Sequence, residues 1–190
     1  MTVCVFAASS SRIGNKYAEV ASELGCLLAR SGIDVVFGGG DVGLMGVIAD
    51  AILSEGGRIT GVLPLFMKGE GWAHHGLDEM IITDNMSERK RKMLEMSDAV
   101  VALPGGIGTL EELTEAITLK QLSLFYGQII IVNTLGFYDN FFQFIEHMVK
   151  NNFMRSEHKK LWEIANTPQE VIEALAKKSD KENWRKIARI

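Results

Sequence analysis

Residues 104–112 read PGGIGTLEE and directly follow the apolar run 99–103. A strand that feeds a glycine-rich turn and then a helix leaves backbone amides ahead of the helical ladder. Glycine lets such a turn bend sharply and lets a ligand approach the backbone. The amides and the helix dipole together favour an anion, most often phosphate. Glu112 closes the segment. Thr109 and Glu112 fit the capping box T-x-x-E, so this carboxylate reads either as a cap or as a chemical group beside a bound anion. Thr167 and Glu170 form a comparable pattern with nothing reactive nearby, and only a cap is expected there. Arg89 lies in MSERKRKM, residues 86–93. Helical spacing puts 86, 89, 93 and 96 on one face, so Arg89 shares a stripe with three methionines. A guanidinium there must snorkel or meet an anion in a pocket, while Arg91 and Lys92 face water.

A second glycine cluster, FGGGDVGLMG at 37–46, also follows an apolar run. Two such loops at adjacent strand ends can frame one crevice. Ser9, Ser10 and Ser11 can offer hydroxyls to the same rim or cap a helix start. Neither cluster is a Walker loop, since no GK[ST] follows, and neither has the spacing of a nicotinamide site. His74 and His75 are adjacent and so poorly placed to chelate a metal on a regular element. Residues 64–78, with GEGWAHHG, are the least regular stretch and read as a surface connection or as a loop facing the substrate.

These groups must be held by a frame, and the rest of the sequence supplies one. Apolar runs at 3–7, 34–37, 59–63, 79–83, 99–103 and 129–133 alternate with helical patterns at 16–30, 42–53, 87–97 and 109–125. Two or three further helices complete the chain. This alternation predicts an α/β fold: a Rossmann-like, doubly wound parallel sheet with helices on both faces. One domain is expected over 1–178, followed by a charged tail at 179–190 in which Trp184 suggests docking. The 190 residues are 47% hydrophobic and 23% charged, enough for a sizeable core, which excludes a disordered or fibrous chain. A net charge of −4 argues against a broad surface for nucleic acid. The two cysteines are too far apart in sequence for a CxxC pair, and no run approaches the ~20 apolar residues of a membrane helix. A soluble, cytoplasmic protein is expected.

The combination of FGGGDVGLMG, SERKRKM, PGGIGTLEE and EAITLKQL, spread over residues 3–136, resembles the LONELY GUY (LOG) family. Its members are cytokinin riboside 5′-monophosphate phosphoribohydrolases, often labelled lysine decarboxylases. The resemblance implies hydrolysis of the N-glycosidic bond of AMP-type or N6-substituted adenosine 5′-monophosphates, releasing adenine or a cytokinin base and ribose 5-phosphate. It implies Arg89 and Glu112 as catalytic residues. It places Gly105, Gly106, Gly108 and Thr109 around the nucleotide phosphate, and adds Lys90, Ile107, Leu110, Glu111 and Thr118 as further substrate contacts. It also implies a homodimer with active sites near the subunit interface, and neither metal nor organic cofactor. The chain departs from the pattern at Ser87, where the family often has histidine, at the AASS start of its first loop, and across 64–78. The substituent on the base therefore stays open, with AMP itself as the other substrate. A non-catalytic nucleotide sensor on the same fold is the alternative function. A decarboxylase would need a Schiff-base lysine for pyridoxal phosphate, and no lysine stands in such a setting.

Overall fold

The structure, a computed structural model, describes residues 1–77, 79–177 and 187. Seven strands form one sheet: β1 (Thr2–Phe6), β2 (Asp34–Phe37), β3 (Ile59–Pro64), β4 (Glu79–Thr83), β5 (Ala99–Ala102), β6 (Gln128–Val132) and β7 (Glu163–Ala165). Their spatial order is β4-β3-β2-β1-β5-β6-β7 and every pairing is parallel. The chain builds outward from β1 to β4, then returns to lay β5 against the other side of β1. The carboxyl ends of β1 and β5 thus mark the point where the winding reverses, which is where open α/β sheets bind ligands.

The helices are α1 (Asn15–Arg30), α2 (Gly43–Ser54), α3 (Leu65–Gly69), α4 (Met86–Glu95), α5 (Ile107–Gln121), α6 (Asp139–Lys150) and α7 (Pro168–Ala176). Central strands are apolar along their whole length because both faces are covered. Alternation along β1 shows the division. Val3 and Val5 join a cluster with Leu24 and Leu28 of α1, Ile48 and Ile52 of α2, and Val171 of α7. Cys4 and Phe6 join a second cluster with Met93 of α4, Leu113 and Ala116 of α5, and Ile145 of α6. The doubly wound architecture expected from the sequence is present.

Several local expectations need correction. Helix α5 begins at Ile107, not Thr109, and ends at Gln121 because Ser123 turns into the left-handed region at φ 58°. Strand β7 and helix α3 carry no pattern long enough to read, at three and five residues. The stretch 64–78 contains α3 and an antiparallel bridge from Ala73 to Gly40, so it is pinned to the second glycine cluster. The expected charged tail, Trp184 included, lies outside the described residues apart from Ile187, which packs against the second cluster. No helix among the described residues is long and apolar enough to cross a membrane.

Candidate active site

Three loops meet at the switch point. The loop after β5 is tied to the loop after β1 by Ala8 N donating to Pro104 O at 3.2 Å. The loop after β1 is tied in turn to α2 by Met45 N donating to Ala8 O at 3.2 Å. Gly43 starts α2 at φ 71° with the carbonyls of Ala8 and Ser10 packed against it, so a side chain there would meet backbone.

The start of α5 leaves its first amides free of any side-chain cap. Gly106 is its N-cap, no side chain caps it, and its first internal bond runs from Leu110 N to Gly106 O at 3.0 Å. The amides of residues 107–109 therefore precede the ladder and face outward with the positive end of the dipole. Gly105 has no room for a Cβ, which would press on the Thr109 side chain; at Gly106 and Gly108 a Cβ would meet open space. No neighbour in the chain demands glycine at those two positions, and bare backbone there leaves space for a ligand. Ile107 is 83% exposed while Thr109 is buried.

Thr109 and Glu112 do not form a capping box. With α5 starting two residues earlier, Thr109 occupies the third helical position and Glu112 lies beyond the first turn. The carboxylate instead faces Arg89, with Oε1 at 3.3 Å from a terminal guanidinium nitrogen, and both side chains are nearly enclosed. Burial pushes the Glu112 carboxyl above its usual value, and the Arg89 charge pulls it partly back. Behind the pair lies the fully buried Cys4 thiol, raised well above its usual value by burial first and by Glu112 second. By contrast, Thr167 and Glu170 do form the expected cap, with Glu170 N donating to Thr167 Oγ1 at 3.2 Å.

Arg89 is seated by three elements at once. Helix α4 is started by Asn85, whose side chain accepts from Glu88 N at 2.9 Å, while Glu88 accepts from Asp84 N at 2.8 Å. This reciprocal cap was not read in the sequence, although Asn85 and Glu88 carry its spacing. Arg89 Nε donates to Val62 O at 3.1 Å and a terminal nitrogen donates to Gly38 O at 3.2 Å. A Cβ on Gly38 would collide with the guanidinium, so that glycine is explained by the arginine. The methionine stripe is present, with Met93 fully buried, and Arg91 reaches Glu95 at the surface.

Beside Arg89 opens a cavity of about 260 Å³ lined by Ser9, Gly40, Met45, Leu63, Met67 and Trp72 among others. Its wall is largely apolar, with the guanidinium at one side. Ser9 is thus a rim residue. The three serines cap nothing on α1, whose N-cap is Gly14 without a side-chain bond. Met67 and Trp72 come from 64–78, so that stretch forms part of the cavity wall.

The remaining expected contacts sit elsewhere. Lys90 Nζ pairs with Glu111 and, at 2.8 Å, with Glu115. Thr118 is exposed and bonds Thr114 O at 2.8 Å. Glu111, Glu115 and Thr118 line a shallow depression on the outer face of α5. Within one chain, Arg89 and Glu112 meet directly, while Glu111 and Thr118 face outward and the largely enclosed Lys90 links to Glu111 and Glu115 between them.

A parallel sheet wound on both sides, with an uncapped helix N-terminus and a buried acid–guanidinium pair near its switch point, defines a protein of the Rossmann-like class. The molybdenum cofactor carrier protein of Chlamydomonas reinhardtii shares this fold with a TM-score of 0.70 at 22% identity, over 92% of this chain and 94% of that one. A molybdenum cofactor binding protein of Rippkaea orientalis gives 0.66 at 22%, over 92% and 93%. Sequence relatives are nearer. The family described as "Possible lysine decarboxylase" matches residues 45–175. A cytokinin riboside 5′-monophosphate phosphoribohydrolase of Rhodococcoides fascians is 39% identical over 80% of this chain and 78% of its own. One from Arabidopsis thaliana is 36% identical over 94% and 85%, and a probable one from Oryza sativa is 39% identical over 84% and 70%. This chain belongs to the LONELY GUY family.

Proposed function

We propose that this chain hydrolyses the N-glycosidic bond of adenosine 5′-monophosphates, N6-substituted ones and AMP among them, releasing the free base and ribose 5-phosphate. The observation that carries the reading is the buried Arg89–Glu112 pair between an uncapped glycine loop and an apolar cavity. In the reaction the C1′–N9 bond breaks, water supplies oxygen to C1′, and the base leaves with a proton. Positive charge develops on the ribose ring as the bond lengthens. The ionised Glu112 carboxylate stabilises that charge and orients the attacking water. Arg89 is held at fixed angles by two carbonyls and stays charged, so it orients the leaving base and balances its developing negative charge rather than donating a proton. The phosphate sits on the amides of residues 107–109, far enough from the broken bond to serve positioning alone. An apolar wall containing Met45, Leu63, Met67 and Trp72 suits a base and its substituent.

The working unit in this reading is a cytoplasmic homodimer. Support comes from the outer face of α4 and α5, where Glu111 and Thr118 line one depression apart from the cavity and Leu124, 69% exposed, lines another that shares Glu115 and Leu119 with it. Exposed apolar side chains among polar groups outside the cavity suit a second copy of the chain. Incubating purified protein with AMP and with N6-isopentenyl-AMP tests the activity, with chromatography of the base and calorimetry of binding. Base release from either supports it. Binding without product indicates the nucleotide sensor instead.

A further inference from the structure

Residues 72–76 cross the second glycine cluster as a strap. Asp41 N donates to Trp72 O at 3.1 Å, Ala73 bridges Gly40, and His74 N donates to Gly39 O at 2.9 Å. The His74 ring is buried under this strap. Its Nδ1 accepts from Gly76 N at 3.1 Å, so that nitrogen carries no proton. Nε2 therefore carries the proton and donates to Asp50 Oδ1 on α2 at 3.1 Å, with Asp41 Oδ1 at 3.7 Å. One ring thus closes the strap on itself and fastens it to α2.

The strap touches the site in two ways. Trp72, half exposed, forms part of the cavity wall together with Met67. The run it lies on, residues 38–41, also supplies the Gly38 carbonyl that seats Arg89. Four consecutive residues therefore hold the guanidinium at one end and the strap at the other. A metal role for the histidine does not fit, because both ring nitrogens are already used by Gly76 and Asp50.

We infer that His74 is a positioning residue: by fastening 72–76 to α2 it sets the place of Trp72 and so the width of the cavity that receives the base. The inference rests on the phosphoribohydrolase reading. It predicts a split between binding and chemistry. Arg89 keeps its own bonds to Val62 and Glu112 when the strap loosens, so kcat is largely retained, whereas the wall that binds the base is lost.

The test measures kcat and KM for AMP and N6-isopentenyl-AMP in wild type, His74→Ala, His74→Gln and Asp50→Ala. Amide hydrogen exchange of peptides spanning 38–42 and 70–77 is followed in the free proteins. His74→Ala is expected to raise KM by about tenfold, more for the substituted nucleotide than for AMP, with kcat changed less than about threefold. Exchange in both peptides rises. His74→Gln, which keeps a donor for Asp50, restores most of both readouts. Asp50→Ala, at an exposed helical position that tolerates alanine, shifts both in the same direction by less, and it decides the matter if His74→Ala does not fold. Unchanged exchange overturns the inference, as does a loss in kcat with KM unmoved, or failure of His74→Gln to recover either readout. If wild type releases no base, the catalytic reading fails separately. The strap is then judged on exchange and on calorimetric affinity for AMP, and unchanged values in His74→Ala overturn it.

Discussion

A carboxylate and a guanidinium that share an enclosed site depend on each other for charge. Removing one partner leaves the other buried and uncompensated, at a cost of about 3–5 kcal/mol. Arg89→Ala is therefore expected to lower the melting temperature by roughly 10 °C, measured by calorimetry. Glu112→Gln keeps the shape and lets Arg89 retain Val62 and Gly38. It should leave the fold intact by circular dichroism while slowing base release by on the order of 10²–10³-fold. A Glu112→Gln enzyme with full turnover would return this residue to a structural role. The pair also sets a pH dependence. Burial raises the Glu112 carboxyl and Arg89 opposes the rise. In the proposed reaction the ionised form does the work, so activity is expected to be lost as pH falls through that raised value. The acid limb of the kcat/KM profile should lie above the usual glutamate range. Arg89→Gln, which removes the lowering influence, should carry the limb to still higher pH in whatever activity remains.

Elements place these residues, and glycines in the loop after β5 serve two different ends. At Gly105 the Thr109 side chain leaves no space, so Gly105→Ala should cost about 1–3 kcal/mol of stability through overpacking. At Gly108 there is open space inside a helix, where alanine is favoured over glycine by up to about 1 kcal/mol. Gly108→Ala is therefore expected to melt at the same temperature or slightly higher, yet to raise KM for AMP severalfold by crowding the phosphate. A thermal melt and steady-state kinetics on the two variants separate packing from binding. This distinction was not legible in the sequence, where both residues are one glycine among several. The central strands were legible, because burial on both faces writes a continuous apolar run into β1, β2, β5 and β6. Arg89 was legible too, as a cation on a methionine stripe. Glu112 was only half legible: T-x-x-E is written identically for a cap and for this site, and the start of α5 at Ile107 decides between them. His74 gave no signal, since its bond to Gly76 is a local turn bond that no helical or strand period marks and its partner Asp50 is brought to it only by packing.

At the scale of the whole molecule, the winding of the sheet sorts the expected site residues into two groups. Returning from β4 to β5 brings α4 and α5 side by side, with Arg89 and Glu112 turned inward. The same arrangement turns Glu111 and Thr118 outward, with Lys90 paired to Glu111 and Glu115. If the outward group serves the site of a second copy, each active site of a dimer joins the inward group of one subunit to the outward group of its partner. Two damaged enzymes can then repair each other. Glu112→Gln disables the inward group, and Thr118→Arg blocks the outward one at an exposed position away from the core. In a mixed dimer one site carries both defects and the other carries neither. Random exchange makes half of the dimers mixed, so the mixture should recover about a quarter of wild-type activity although each variant alone is nearly inactive. Sedimentation of each variant accompanies the assay. Dimers that show no recovery on mixing would place a complete site within a single chain. A monomeric, inactive Thr118→Arg would locate the subunit interface on α5 directly, because Thr118 is exposed and its side chain bonds Thr114 O on its own helix.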